Sequence, residues 1–104
     1  MEKNAKVVII GGGVVGCSIL YHLSKFGLKD CILLERNELT SGSSWHAAGN
    51  VHVISSDPNI SRMMAYTIGL YKEIEKESGH SVGFKPSGGF YLASNDVWAE
   101  YLKR

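Results

Sequence analysis

At 104 residues and 11.4 kDa, with 44% hydrophobic and 20% charged side chains, the sequence has the composition of a globular chain with room for one domain at most. Eleven Lys plus Arg stand against ten Asp plus Glu, a formal charge of +1, which gives no electrostatic basis for binding nucleic acid or an anionic membrane surface. The run of apolar and small residues over 7–20 has 14 residues, whereas a membrane-spanning helix needs about 20.

Val7–Ile10 is a short run of β-branched residues without polar alternation, the pattern of a strand covered on both faces in a parallel sheet. Gly11-Gly12-Gly13 ends it. From Gly13 the small or apolar residues Gly16, Ile19, Leu20, Leu23 and Phe26 recur at three- and four-residue steps, with Ser18, His22 and Lys25 on the other side, which predicts an amphipathic helix. Gly27 offers a left-handed cap, and Lys25 puts positive charge at the negative end of the helix dipole. Cys31–Leu34 is a second unalternated apolar run, closed by Glu35. Residues 6–35 are therefore expected to form one βαβ unit with a right-handed crossover and parallel strands.

Residues 36–50 turn polar and glycine-bearing, and read as a functional loop containing one helical turn. After Pro58, Ile60, Met63, Met64, Thr67, Ile68, Tyr71 and Ile74 form a helical stripe, with Lys72, Glu73, Glu75, Lys76 and Glu77 on the solvated side, predicting a helix over 59–77. Segment 84–93 reads as a β-hairpin turning at 86–89. Asn95 or Ser94 caps a last helix whose Val97, Trp98, Tyr101 and Leu102 share a face. The expected fold is α/β: a Rossmann-type βαβ unit that binds FAD or NAD(P), incomplete, followed by a helix and a hairpin.

Gly11-x-Gly13-x-x-Gly16 follows a predicted strand and opens a predicted helix, the context that makes this pattern a dinucleotide-binding fingerprint. Gly11 permits the turn, Gly13 lets the backbone approach a pyrophosphate, and Gly16 lets the helix pack close to the sheet. The N–H groups of the first helical turn, at Val14 and Val15, then face the diphosphate. Glu35, 19 residues beyond Gly16 and beside Arg36, is placed to bind the ribose hydroxyls of an adenosine. Its charge would repel a 2′-phosphate, so NADP is disfavoured, while FAD and NAD both remain. A phosphate loop of the Walker type fails because Cys17-Ser18 stands where Lys-Ser/Thr is needed.

Cys17 and Cys31 have no CxxC spacing and read as reduced core thiols, which points to the cytoplasm. Lys3 and Lys6 ahead of Val14-Val15-Gly16-Cys17 resemble an export signal with a lipoprotein cleavage box. Three glycines inside the apolar stretch and an unbroken folding pattern after Cys17 count against that reading. His22 belongs to a solvated helix face, His80 to a loop, and His52 has no partner at ligand spacing, so no metal site is expected.

The run GGGVVGCSILYHLSKFGLKDCILLERNELTSGSSWHAAGNVH resembles the N-terminus of FAD-dependent amine oxidoreductases of the dimethylglycine and sarcosine dehydrogenase group, in the D-amino-acid-oxidase-like superfamily. The likeness is strongest over 6–50. It implies FAD as cofactor and oxidation of a C–N bond in a small methylated amine, with hydride passing to the flavin and then electrons to an electron-transfer flavoprotein or oxygen. It also implies that His46, in Trp45-His46-Ala47-Ala48-Gly49, is the point of covalent flavin attachment. Ser43 and Ser44, ahead of a short helical turn, are expected on their own chemistry to contact the pyrophosphate through backbone N–H and hydroxyl groups. Relatives complete the FAD domain with distant strands. The 104 residues are accordingly expected to be the front of a longer protein, with 51–104 beginning the remaining FAD and substrate region and the catalytic residues beyond residue 104. An FAD enzyme acting on a D-amino acid or glycerol phosphate, and a noncatalytic NAD-binding module, are the competing readings.

Overall fold

A computed structural model describes residues 4–103; Lys3 of the export reading lies outside the described residues. The chain divides into two compact units, Met1–Asn50 and Val51–Arg104.

The first unit is the expected βαβ arrangement. Strand β1, Val7–Ile10, pairs in parallel with β2, Cys31–Leu34, in the register Val7 to Cys31 through Ile10 to Leu34, and Gly11 N–H extends the ladder to Leu34 O at 2.8 Å. Helix α1, Val14–Lys25, connects them and packs on both strands. Its end is a Schellman closure: Gly27, at φ 85°, donates to Ser24 O, and Leu28 donates to Leu23 O, each at 2.9 Å. Among the described residues of the unit Ile9 is the buried hydrophobic one and lies under α1, whereas Val8 and Ile10, on the opposite strand face, are 50% and 86% exposed. The strand that reads as apolar on both faces is thus covered on one.

In the second unit, helix α2, Pro58–Ser78, is one residue longer at each end than the periodicity predicts. Asp57 caps it, Oδ1 accepting from Asn59 N–H at 2.7 Å and Ile60 N–H at 3.4 Å, and Pro58 occupies the first turn, where no intrahelical N–H bond is lost. Glu75 is not on a purely solvated side: its Oε1 accepts from Ser81 Oγ at 2.9 Å and Val82 N–H at 2.8 Å. That tie brings Phe84 to Tyr71, with ring centroids 6.0 Å apart. Helix α3, Asp96–Leu102, starts at Asn95, whose Oδ1 accepts from Trp98 N–H at 3.0 Å.

The hairpin expected over 84–93 does not form; the segment is irregular, with Phe90 fully exposed and Leu92 94% exposed. Pro86 leaves one arm only two residues long, and Gly88-Gly89 adds backbone entropy that so short a ladder cannot offset.

Candidate dinucleotide-binding site

The glycine turn is shaped by what surrounds it. Gly11 has φ 109°, a backbone that a side-chain-bearing residue rarely adopts. At Gly16 an added Cβ would overlap the Gly11 carbonyl oxygen and reach Ile9, so the glycine is what lets α1 lie directly on the turn and on β1. Gly13 is the N-cap of α1 in extended conformation and has no side chain with which to cap it. The first turn therefore presents N–H groups without intrahelical acceptors, at the positive end of the helix dipole. Val14 N–H is taken by Ser44 Oγ at 2.8 Å, while those of Gly13 and Val15 have no acceptor among the described residues. Val14 and Val15 are exposed, so this helix start is open to solvent.

Glu35 follows β2 and turns back toward the glycines. Its Oε2 accepts from Gly12 N–H at 2.7 Å and its Oε1 from Asn37 N–H at 2.9 Å. These backbone bonds, Gly12 first and Asn37 second, hold its carboxyl below the ordinary carboxylate range, with a smaller contribution from the Arg36 charge. The carboxylate is ionised at neutral pH and keeps accepting capacity for a further donor such as a ribose hydroxyl.

Gly12 is the site residue that sequence reasoning passed over, since the fingerprint treats its position as free. A Cβ there would come within 2.6 Å of Leu39 Cδ2 and 3.0 Å of Glu35 Cβ. Its carbonyl accepts from Thr40 N–H at 2.9 Å. The one available signal was the unbroken run of three glycines, whose middle member stands where the motif does not ask for one.

Residues 39–46 form the turns expected of the loop. His46 is exposed, with Nδ1 3.0 Å from Gly42 O. A carbonyl only accepts, so Nδ1 carries the proton and a neutral His46 has its lone pair on Nε2. Ser44 is half-buried against the turn, whereas Ser43 is exposed and accepts from His46 N–H at 3.2 Å through its carbonyl. Gly11, Gly13, Val14, Gly16, Glu35 and Ser44 are thus gathered at one corner. Arg36, Ser43 and His46 lie on the flanking loop. A diphosphate with its adenosine fits this corner: free N–H donors, glycines where side chains would obstruct, and an ionised acceptor beside them.

No helix of the described residues is long and apolar enough to cross a membrane. Human dimethylglycine dehydrogenase, mitochondrial, is 46% identical over 102 residues, covering 98% of this chain and 12% of that protein. Human sarcosine dehydrogenase, mitochondrial, is 39% identical over 105 residues, covering all of this chain and 11% of that protein. The mouse pyruvate dehydrogenase phosphatase regulatory subunit, mitochondrial, is 38% identical over 104 residues, covering 100% of this chain and 12% of that protein. The chain thus spans about an eighth of the length of these relatives. Residues 6–104 match the FAD-dependent oxidoreductase family as a whole, and the chain belongs to that family.

Proposed function

We propose that the glycine turn seats the diphosphate of FAD for an enzyme that oxidises a C–N bond of a methylated amine or amino acid such as dimethylglycine or sarcosine. In this reading Gly11, Gly13 and Gly16 shape the seat, Gly13 and Val15 offer free N–H groups, Val14 acts through the Ser44 hydroxyl that it donates to, and Ser43 and Ser44 lie along the diphosphate. Glu35, with Arg36 beside it, takes the ribose, and His46 bonds to the flavin. The observation that carries it is the corner itself: residues 11–14, 35 and 44, distant in sequence, meet around open helix N–H groups. FAD, when bound, supplies the two-electron acceptor for amine oxidation.

The chain's own residues bind and orient. Helix α1 and its free N–H groups hold negative charge, and Glu35 selects an unphosphorylated ribose. The tautomer fixed by Gly42 leaves Nε2 of His46 as the nucleophilic nitrogen, so Nε2 is the atom that would carry the flavin. Electrons leave to an electron-transfer flavoprotein or to dioxygen, and the free thiols of Cys17 and Cys31 suit a reducing compartment such as the cytoplasm. Likeness to a regulatory subunit supports a second reading, a noncatalytic use of the same fold.

Denaturing the FAD-loaded full chain and measuring flavin fluorescence on the polypeptide tests the attachment. His46→Ala is expected to abolish it while leaving reversible FAD binding; covalent flavin retained by His46→Ala would refute the assignment. Bleaching of the flavin by dimethylglycine or sarcosine in the whole protein favours the enzyme, and a flavin that neither substrate reduces favours the noncatalytic use.

A further inference from the structure

The loop that carries His46 is fastened to the glycine turn at two points. Thr40 N–H donates to Gly12 O at 2.9 Å, and Ser44 Oγ accepts from Val14 N–H at 2.8 Å, across 30 residues of sequence. Thr40 makes its bond at φ 65°, a left-handed conformation that a β-branched residue holds only where its surroundings over-determine it. Between and just beyond the two fasteners the loop is internally tied. Trp45 N–H donates to Thr40 O at 3.0 Å, His46 N–H to Ser43 O at 3.2 Å, and the His46 ring to Gly42 O at 3.0 Å. The path from the first N–H of α1 to the imidazole is therefore one side chain, Ser44, and a two-residue step.

We propose that Ser44 is a positioning residue for His46: by capping Val14 it fixes the loop on the diphosphate seat and so sets where the imidazole stands when the cofactor is bound. This rests on the reading of His46 as the attachment residue. The Ser44 hydroxyl accepts from Val14 and keeps its own proton, so it can donate to a phosphate oxygen without releasing the loop. The close fit agrees, since a Cβ on Gly13 would come to 3.1 Å from Ser44 Oγ. Attachment forms one bond from Nε2 to the flavin's 8-methyl carbon. Overall it gives up one methyl C–H and the imidazole N–H, and two electrons with two protons pass to dioxygen as hydrogen peroxide. Correct placement of the ring is what such a step requires of the protein.

The test uses the full chain with Ser44→Ala and Ser44→Thr and takes two measurements. The first is amide exchange at Val14 and over 40–46 without cofactor. The second is a time course with FAD in air, comparing total bound flavin with flavin that survives acid precipitation. For Ser44→Ala, exchange at Val14 and over 40–46 is expected to rise about three- to tenfold, what one lost hydrogen bond is worth, and attachment per bound FAD to slow at least as much. Ser44→Thr, which keeps the hydroxyl, is expected to restore both. Unchanged exchange in Ser44→Ala, or attachment falling only in proportion to bound FAD, would overturn the proposal. Absence of attached flavin in the unmodified chain would instead defeat the His46 reading, and the exchange data would still decide whether Ser44 holds the loop.

Discussion

Glu35 makes the site sensitive to acid in a definite direction. Its carboxyl is held below the ordinary range chiefly by Gly12 N–H, so the folded chain prefers the ionised form more than the unfolded chain does. The stabilisation is complete above the ordinary carboxylate range and is lost as pH falls through the lowered value. Protection of the Gly12 amide, followed by exchange NMR, is expected to persist through the pH at which ordinary glutamates titrate and to fail below it. Glu35→Gln should lower that protection at neutral pH and flatten its acid dependence; a Gln variant with the acid profile of the parent would show that another group is responsible. Gly13→Val, which places side-chain atoms toward Ser44 and the seat, is expected to weaken FAD binding about 10- to 150-fold, the worth of one lost hydrogen bond to a charged phosphate, measured by titration. At this scale the three motif glycines were legible because their spacing reflects local backbone needs. Gly12 was not, because the crowding that excludes a side chain there comes from Leu39, 27 residues away, and only folding creates it.

Elements were legible where their ends carry their own chemistry. Helix α1 begins at the glycines and closes on Gly27, where the local signal and the periodic stripe agree; α2 follows its stripe after Pro58 and closes on Gly79 at φ 70°, with an Asp57 cap that the periodicity did not name. The hairpin misled because a run of aromatic and aliphatic residues describes a surface for pairing without supplying the partner, and Phe90, Tyr91 and Leu92 stand exposed instead. Glu75 was assigned to solvent by its place on the helix, yet the chain after Gly79 returns to meet it. The Asp57 cap gives a clean test of an element's own stability: Asp57→Ala is expected to cost about 1 kcal/mol, seen in denaturant unfolding followed by helical circular dichroism. Asp57→Asn, which keeps the accepting oxygen, should lose much less, whereas equal losses would mean that charge and not the two N–H bonds supports the helix start.

For the molecule as a whole, the decisive asymmetry is between the two faces of one short sheet. Side chains alternate along β1, so Ile9 lies beneath Gly16 while Ile10, its neighbour, is 86% exposed, and Leu34, paired with Ile10, is 52% exposed. Among the described residues Ile9, at 8% exposure, is the one hydrophobic side chain that two strands and one helix bury, a thin core against the conformational entropy of fixing those elements. Stability in this unit should therefore concentrate at Ile9. Ile9→Ala is expected to cost about 2 kcal/mol or more, and Ile10→Ala no more than about 0.5 kcal/mol, in unfolding of the 104-residue chain. The open face also predicts binding of an apolar dye, reduced by Ile10→Lys without loss of helical signal. Equal costs at positions 9 and 10 would mean that both faces are covered in solution. The unalternated strand would then describe the folded chain better than the one-sided sheet does.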